Sequence, residues 1–189
     1  MSSNLQRGSV WQRLGRLLGF GPRESVEHSS KASSQSSASS TSSGTRGQNG
    51  NNWKFSVRIE GDDVVCDKTT ATWFGGCDDP LDNGETASGV RTCGNPDIIG
   101  CALPVVGHHP STKGSPLAVT PRIPWHTKVM VTHKDKTLIV PLIDNGPARS
   151  ANDGIDLTQA AFKFFAPLKK GVIDVSFRVI GAAKYLKKP

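Results

Sequence analysis

The chain has 189 residues, 35% hydrophobic and 21% charged, with 20 Gly and 12 Pro, which suits one domain or one domain with a tail. No run approaches the roughly 18 consecutive apolar residues of a membrane-spanning helix. The formal net charge is +7 but unevenly placed: residues 1–52 hold six basic residues against Glu24 and Glu27, Lys184, Lys187 and Lys188 add three more, and 53–183 carry 14 of each sign. A neutral body lacks the basic stripe of a nucleic-acid-binding face, so no specific nucleic acid is expected as a partner.

Residues 29–44, SSKASSQSSASSTSSG, have too little apolar surface to offset the entropy of ordering and read as a flexible linker. They separate 1–28 from a body that starts near Trp53. Within 1–28, Trp11, Leu14, Leu17 and Leu18 fall at helical spacing with Arg13 and Arg16 opposite, so 10–20 reads as a short basic amphipathic helix in a mostly disordered tail. The arginines interrupt any signal-peptide core, and no clean cleavage site follows. The domain plan is therefore a disordered tail over 1–52, a folded body over 53–183 and a basic C-terminal tail over 184–189.

From Trp53 the pattern is β. Phe55, Val57 and Ile59 alternate with polar residues, and 69–74 (TTATWF) is β-prone up to Gly75-Gly76. Residues 77–116 are rich in Gly, Pro, Asp and Asn and read as long loops. Residues 127–133 and 137–143 flank Lys134-Asp135-Lys136 as a hairpin, with Pro141 marking an edge or a bulge. The spacing predicts a helix over 156–165, N-capped by Asp156, with Leu157, Ala161, Phe164 and Phe165 as its apolar face and Pro167 as its stop. A last strand runs 172–180, with Ile173, Val175, Phe177 and Val179 on one side. Six or so short strands, long loops and one helix describe a mainly β fold, a small barrel.

Cys66, Cys77, Cys93 and Cys101 form no CxxC pair, and no His stands three to five residues from another, so neither a metal nor any cofactor is expected. An even count in loops suits two disulfides and an oxidising compartment, with Cys93–Cys101 and Cys66–Cys77 favoured among three connectivities. Four reduced core cysteines are the competing reading.

The chemistry concentrates in Ile143-Asp144-Asn145-Gly146-Pro147 and Gly154-Ile155-Asp156-Leu157-Thr158. A strand delivers Asp144 into an Asn-Gly-Pro turn, and Asp156 stands at a helix start. Two carboxylates set by rigid elements near one rim suit acid–base work. Each also has a plain structural role, Asp144 capping a turn and Asp156 a helix.

Four blocks in order resemble the rare lipoprotein A-like (RlpA-like) double-psi β-barrel family, related to the 3D domains of lytic transglycosylases and, distantly, to expansins. They are Thr72-Trp73-Phe74-Gly75-Gly76, Gly84-Glu85-Thr86-Ala87-Ser88-Gly89, the stretch 117–129 from Leu117 to Val129, and the two aspartate segments. The resemblance implies a six-stranded double-psi barrel with one or two short helices. It also implies a catalytic role for Asp156, with Asp144 as the second aspartate.

A lytic transglycosylase protonates the glycosidic oxygen and takes a proton from the sugar's own 6-hydroxyl as an anhydro ring closes, so one carboxyl suffices where hydrolases need two. Three departures stand against this. Val90 occupies the position of a family Glu, and Thr120 that of a His or Asp; Asn152-Asp153 lengthen the aspartate spacing by one residue. His108-His109 offer a substitute polar group, His126 replaces a family Gly, and Trp73 and Trp125 offer faces for sugar stacking, with Asn145 beside Asp144 as a further binding residue.

The favoured reading is a cell-wall glycan (peptidoglycan) cleaving or remodelling protein, lytic transglycosylase-like, with Asp156 as general acid/base. The alternatives are a non-catalytic expansin-like wall-binding module and a secreted interaction protein that uses the barrel as a scaffold. The expected partner is peptidoglycan or another cell-wall polysaccharide, the expected location secreted or cell envelope, and the expected state a monomer. The basic tails are expected to touch an anionic wall or membrane peripherally.

Overall fold

The computed structural model describes residues 53–77, 83–148 and 154–186. The amphipathic 10–20 segment, the Ser-rich stretch and Asn152-Asp153 lie outside them.

Six strands close into a barrel. They are β2 (Asp63–Phe74), β6 (Ile155–Thr158), β3 (Cys101–Leu103), β5 (Lys136–Asn145), β4 (Lys128–His133) and β7 (Ile173–Val179), with β7 pairing back onto β2. A short β1 (Arg58–Glu60) adds to the free side of β2. The pairs β2–β6 and β3–β5 are parallel and the others antiparallel. The mainly β, six-stranded barrel with one or two short helices expected from the sequence is the fold observed, with two short helices.

The barrel is filled from every strand. Val64, Cys66, Ala71, Cys101, Leu103, Val129, Val131, Val140, Leu142, Ile155, Leu157 and Val179 belong to one buried cluster. Several strands show the period-2 alternation of a wall with one face inward. In β7, Ile173, Val175, Phe177 and Val179 are buried, as the sequence pattern requires. The hairpin also matches: His133 pairs with Lys136 across Lys134-Asp135, and Lys134 takes a φ of 55°.

Pro141 stands in β5 just before Leu142, where β3 begins to pair. Leu142 donates its N–H to Thr127 on the β4 side, so the position of Pro141 faces the other side, where no ladder bond is required. The register then slips between Cys101 and Ala102, which leaves Ile143 as the extra residue of a bulge.

Elsewhere the structure departs from the sequence reading. The alternation over 53–59 yields only the exposed β1. Phe55 is instead buried from a loop, 6.3 Å from the Phe177 ring, and Ile59 is 42% exposed. β2 starts six residues earlier than expected, because a bulge between Cys66 and Thr69 breaks the alternation that would have announced it. β3 lies inside the stretch read as loops; three residues carry too little pattern to be seen.

The helix α1 runs Gln159–Phe165, not 156–165, and Thr158 is its N-cap, accepting from the N–H of Ala161. Asp156 is in β6, its backbone taken up between β2 and β3. Ala161, Phe162 and Phe165 form the buried face, whereas Phe164 is exposed. A 3-10 turn follows at Leu168–Lys170, and α2 (Ala183–Leu186) carries Lys184 back onto the barrel, with Tyr185 and Leu186 packed against the core.

At the β1–β2 turn, Arg178 bridges Glu60 and Asp63 (3.0 Å), Arg58 meets Asp67 (2.9 Å) and also Glu60, and Gly181 donates its N–H to Asp63 (2.8 Å). These donors hold Glu60 down to about 2, chiefly through the bond from Arg178, and lower Asp63, chiefly through the Gly181 N–H, and Asp67, chiefly through Arg58. Carboxyls held below their unfolded values stabilise the fold above about pH 4, and that contribution fades as acid reaches the lowered values. The groups are exposed, so the effect is small. The thermal midpoint of Arg178→Ala should therefore fall less between about pH 4 and pH 2 than that of the wild type. Parallel curves would show that the network carries no linkage.

Candidate functional site

The alternation that sends Cys101 and Leu103 inward turns Ala102 outward, where it joins Phe74 and Ile143 in a second, smaller cluster with Val90 and Ile98. Ala102 is in register with Asp144 on one side and Asp156 on the other, and Asp156 with Thr72 beyond. The outer face thus carries one row, Asp144–Ala102–Asp156–Thr72, across β5, β3, β6 and β2. Adjacent strands lie about 4.8 Å apart, which puts the two aspartate backbones about 10 Å apart.

Gly154, ahead of β6, is required by contact. A Cβ there would stand 2.5 Å from Oγ1 of Thr69.

Asp144 was expected in a turn and Asp156 at a helix start; both are instead buried strand residues, Asp144 at 8% and Asp156 at 3% exposure. Oδ1 of Asp144 accepts the N–H groups of Ala87 (2.9 Å) and Asn145 (2.8 Å). The first ties the Thr86-Ala87-Ser88-Gly89 loop to the end of β5, and Ser88 adds an N–H to the Ile143 carbonyl (3.1 Å). Asp156 accepts from the hydroxyl of Thr72, a partner that sequence reasoning missed although it opens the first of the four blocks. Val90 packs beside Ala102 and Ile143, so an apolar side chain flanks the row where the family resemblance calls for a Glu. Thr120 is exposed.

The other expected binding residues do not join this row. Trp73 alternates to the inner side of β2, packs against the core and donates its indole N–H to the Leu168 carbonyl (3.1 Å). Trp125 also packs against the core, under the Arg122 guanidinium at 3.9 Å. His126, at φ 66°, is exposed, with its backbone N–H on Leu142 (2.7 Å). His109 bonds Ser111 within its own loop (2.6 Å), and the neighbouring His108 is exposed. Asn145 pins the 104–112 loop: its Oδ1 accepts from Val105 (3.1 Å) and Val106 (3.0 Å), and its Nδ2 donates to Thr112 (3.3 Å).

Beyond the Thr72–Asp156 pair, the same outer face continues to Phe74 and Thr158, which are in register. There a cleft of about 240 Å³ opens, lined by Phe74, Thr92, Asn95, Ile98, Thr158 and Gln159 among others. One wall is Cys77, disulfide-bonded to Cys93. No charged side chain lines the cleft among the described residues. Gln159 spans its end, donating from Nε2 to the Gly75 carbonyl (2.6 Å).

The expected pairings Cys93–Cys101 and Cys66–Cys77 are thus corrected to the single bond Cys77–Cys93, with Cys66 and Cys101 free and buried. Cys66 and Cys101 belong to strands that point them into the barrel, while Cys77 and Cys93 sit on loops outside it. Burial pushes the Cys66 thiol up to about 11 and the Cys101 thiol higher still, so both are inert.

No protein-family model matches this sequence, and no curated protein does. Among solved structures the chain is similar to Streptomyces papain inhibitor (SPI), at 27% identity over 59% of this chain and 94% of that one, with a TM-score of 0.38.

Alkylation of the denatured protein should modify two cysteines without reductant and four with it; four without reductant would remove the disulfide. Asn145→Ala should cost about 1–3 kcal/mol in denaturant unfolding, because the N–H groups of Val105 and Val106 lose their acceptor. A change within about 0.5 kcal/mol would show that the loop finds other partners.

Proposed function

We propose that this protein is a non-catalytic, expansin-like cell-wall-binding module that seats a neutral stretch of glycan in the cleft beside Asp156. The observation that carries the reading is the make-up of that cleft. An aromatic side chain, Phe74, lies with Ile98 among the hydroxyl of Thr92 and the amides of Asn95 and Gln159, with no described charge. Aromatic and apolar walls suit the C–H faces of a sugar, and hydroxyls and amides suit its hydroxyl groups. The resemblance of the four sequence blocks to the rare lipoprotein A-like barrels and expansins supplies the substrate class, peptidoglycan or a related wall polysaccharide. The Cys77–Cys93 disulfide is compatible with an extracellular setting.

Binding is favoured over cleavage because Asp144 is spent on two backbone N–H groups and Val90 brings no polar group to the row. The cleavage reading keeps one point in its favour: Asp156, held by Thr72, stands one residue pair from the cleft, about 7 Å along β6. In that reading its carboxyl protonates the glycosidic oxygen while the sugar's 6-hydroxyl closes the ring.

The full chain should pellet with sacculi in about 0.5 M salt, where the charged tails are screened, and release no anhydro-muropeptides detectable by mass spectrometry. Gln159→Ala should weaken retention by about three- to tenfold, one hydrogen bond's worth. Anhydro-muropeptides that vanish in Asp156→Asn would replace binding with cleavage. No retention at all would sink both readings.

A further inference from the structure

The tails carry the net charge, but the barrel's own charges are also sorted. Around β1, Glu60, Asp63 and Asp67 are matched by Arg58 and Arg178. Among the described residues no such matching occurs at α1 and the 3-10 turn. From Gln159 to Ile173 there is no acidic residue, and Lys163, Phe164, Pro167, Lys169, Lys170 and Val172 are all exposed. The hairpin tip adds Lys134 and Lys136, so five lysines stand against Asp135 and Asp174. Two of the larger exposed apolar side chains, Phe164 at 45% and Val172 at 38%, lie in this short ridge.

Phe164 is held in its exposed position. Its ring meets that of buried Phe165 edge-on at 5.1 Å, and Phe165 in turn packs edge-on against His133. Lys136 reaches over from the hairpin, donating to the Phe164 carbonyl (3.2 Å) with its ammonium 5.8 Å from the Phe164 ring. A fixed aromatic side chain flanked by lysines loses little entropy on docking.

We propose that this ridge is a docking surface for an anionic lipid bilayer, independent of the glycan cleft. The lysines supply attraction to anionic headgroups, each worth a several-fold gain near a charged surface. Phe164, Pro167 and Val172 supply apolar area that enters the headgroup–acyl boundary while the lysines stay at its level. Charge alone would suit an acidic polymer equally well. The clustered apolar side chains favour lipid, because a soluble polyanion does not bury them.

The test uses the full chain with phosphatidylcholine vesicles, with and without about 30% phosphatidylglycerol, read by co-sedimentation. Wild type should partition onto the anionic vesicles only. The triple variant Lys163→Glu, Lys169→Glu, Lys170→Glu should lower the partition coefficient about tenfold or more, and the corresponding triple Lys→Gln variant should lower it in the same direction with less perturbation of the fold, as checked by circular dichroism. Phe164→Ser should lower it about threefold or more on vesicles and leave binding to dextran sulfate unchanged. The proposal fails if the triple variants partition like wild type, since the tails then carry the attraction. It also fails if Phe164→Ser binds vesicles as well as wild type, since the occupant is then a polyanion.

Discussion

β6 is four residues long, every one of them buried, and it hydrogen-bonds to β2 on one side and to β3 on the other. Closing the barrel and placing Asp156 are therefore a single event. The same backbone that completes the wall fixes the carboxyl in register with Thr72 and Ala102. The cost is topological. β2 and β6 meet across 84 residues, Thr72 to Asp156, and such pairing is repaid only after a long loop has closed. Gly154, which lets the chain pass within contact distance of Thr69, and the bulge at Ile143, which turns Asp144 to the same face, are the local devices that make the register hold.

Elements that obey one period along their length were legible in the sequence. β4 and β7 alternate cleanly, β5 is a long apolar and β-branched run ahead of its bulge, and the Lys134-Asp135 turn stands between β4 and β5, so hairpin and last strand were visible. β2 was half visible because its bulge resets the alternation, and β3 was not visible because three residues hold no period. The start of α1 was misplaced because an aspartate before an amphipathic run is what an N-cap looks like. Only the two neighbours of β6, one of them unseen, show that Asp156 is a strand residue and that Thr158 takes the cap.

The candidate site was legible to a similar degree. The aspartates stand out as residue types next to turns, but the partners that define their surroundings come from distant segments: Ala87 and Thr72 for the carboxyls, Asn95 and Gln159 for the cleft. The tryptophans were ambiguous by their identity. A ring that suits sugar stacking also suits a core, and the odd–even position of Trp73 relative to Ala71 sends it inward. The cysteines illustrate the same rule. Without β3, Cys101 had no inner face to occupy, and a second disulfide looked natural.

β1 is the one strand that extends the closed ring. It has three residues, all exposed, and two of them are charged. The other six strands close on each other, and the main open stretch is 136–141 of β5, ahead of its pairing with β3, where Pro141 removes a backbone donor, so the described sheet offers little edge on which another chain's strand could template itself. Such a barrel tolerates crowding. If copies gather side by side on a surface, at local concentrations far above those in solution, they meet mainly through side chains, and crowding gives a growing sheet little open backbone to start from.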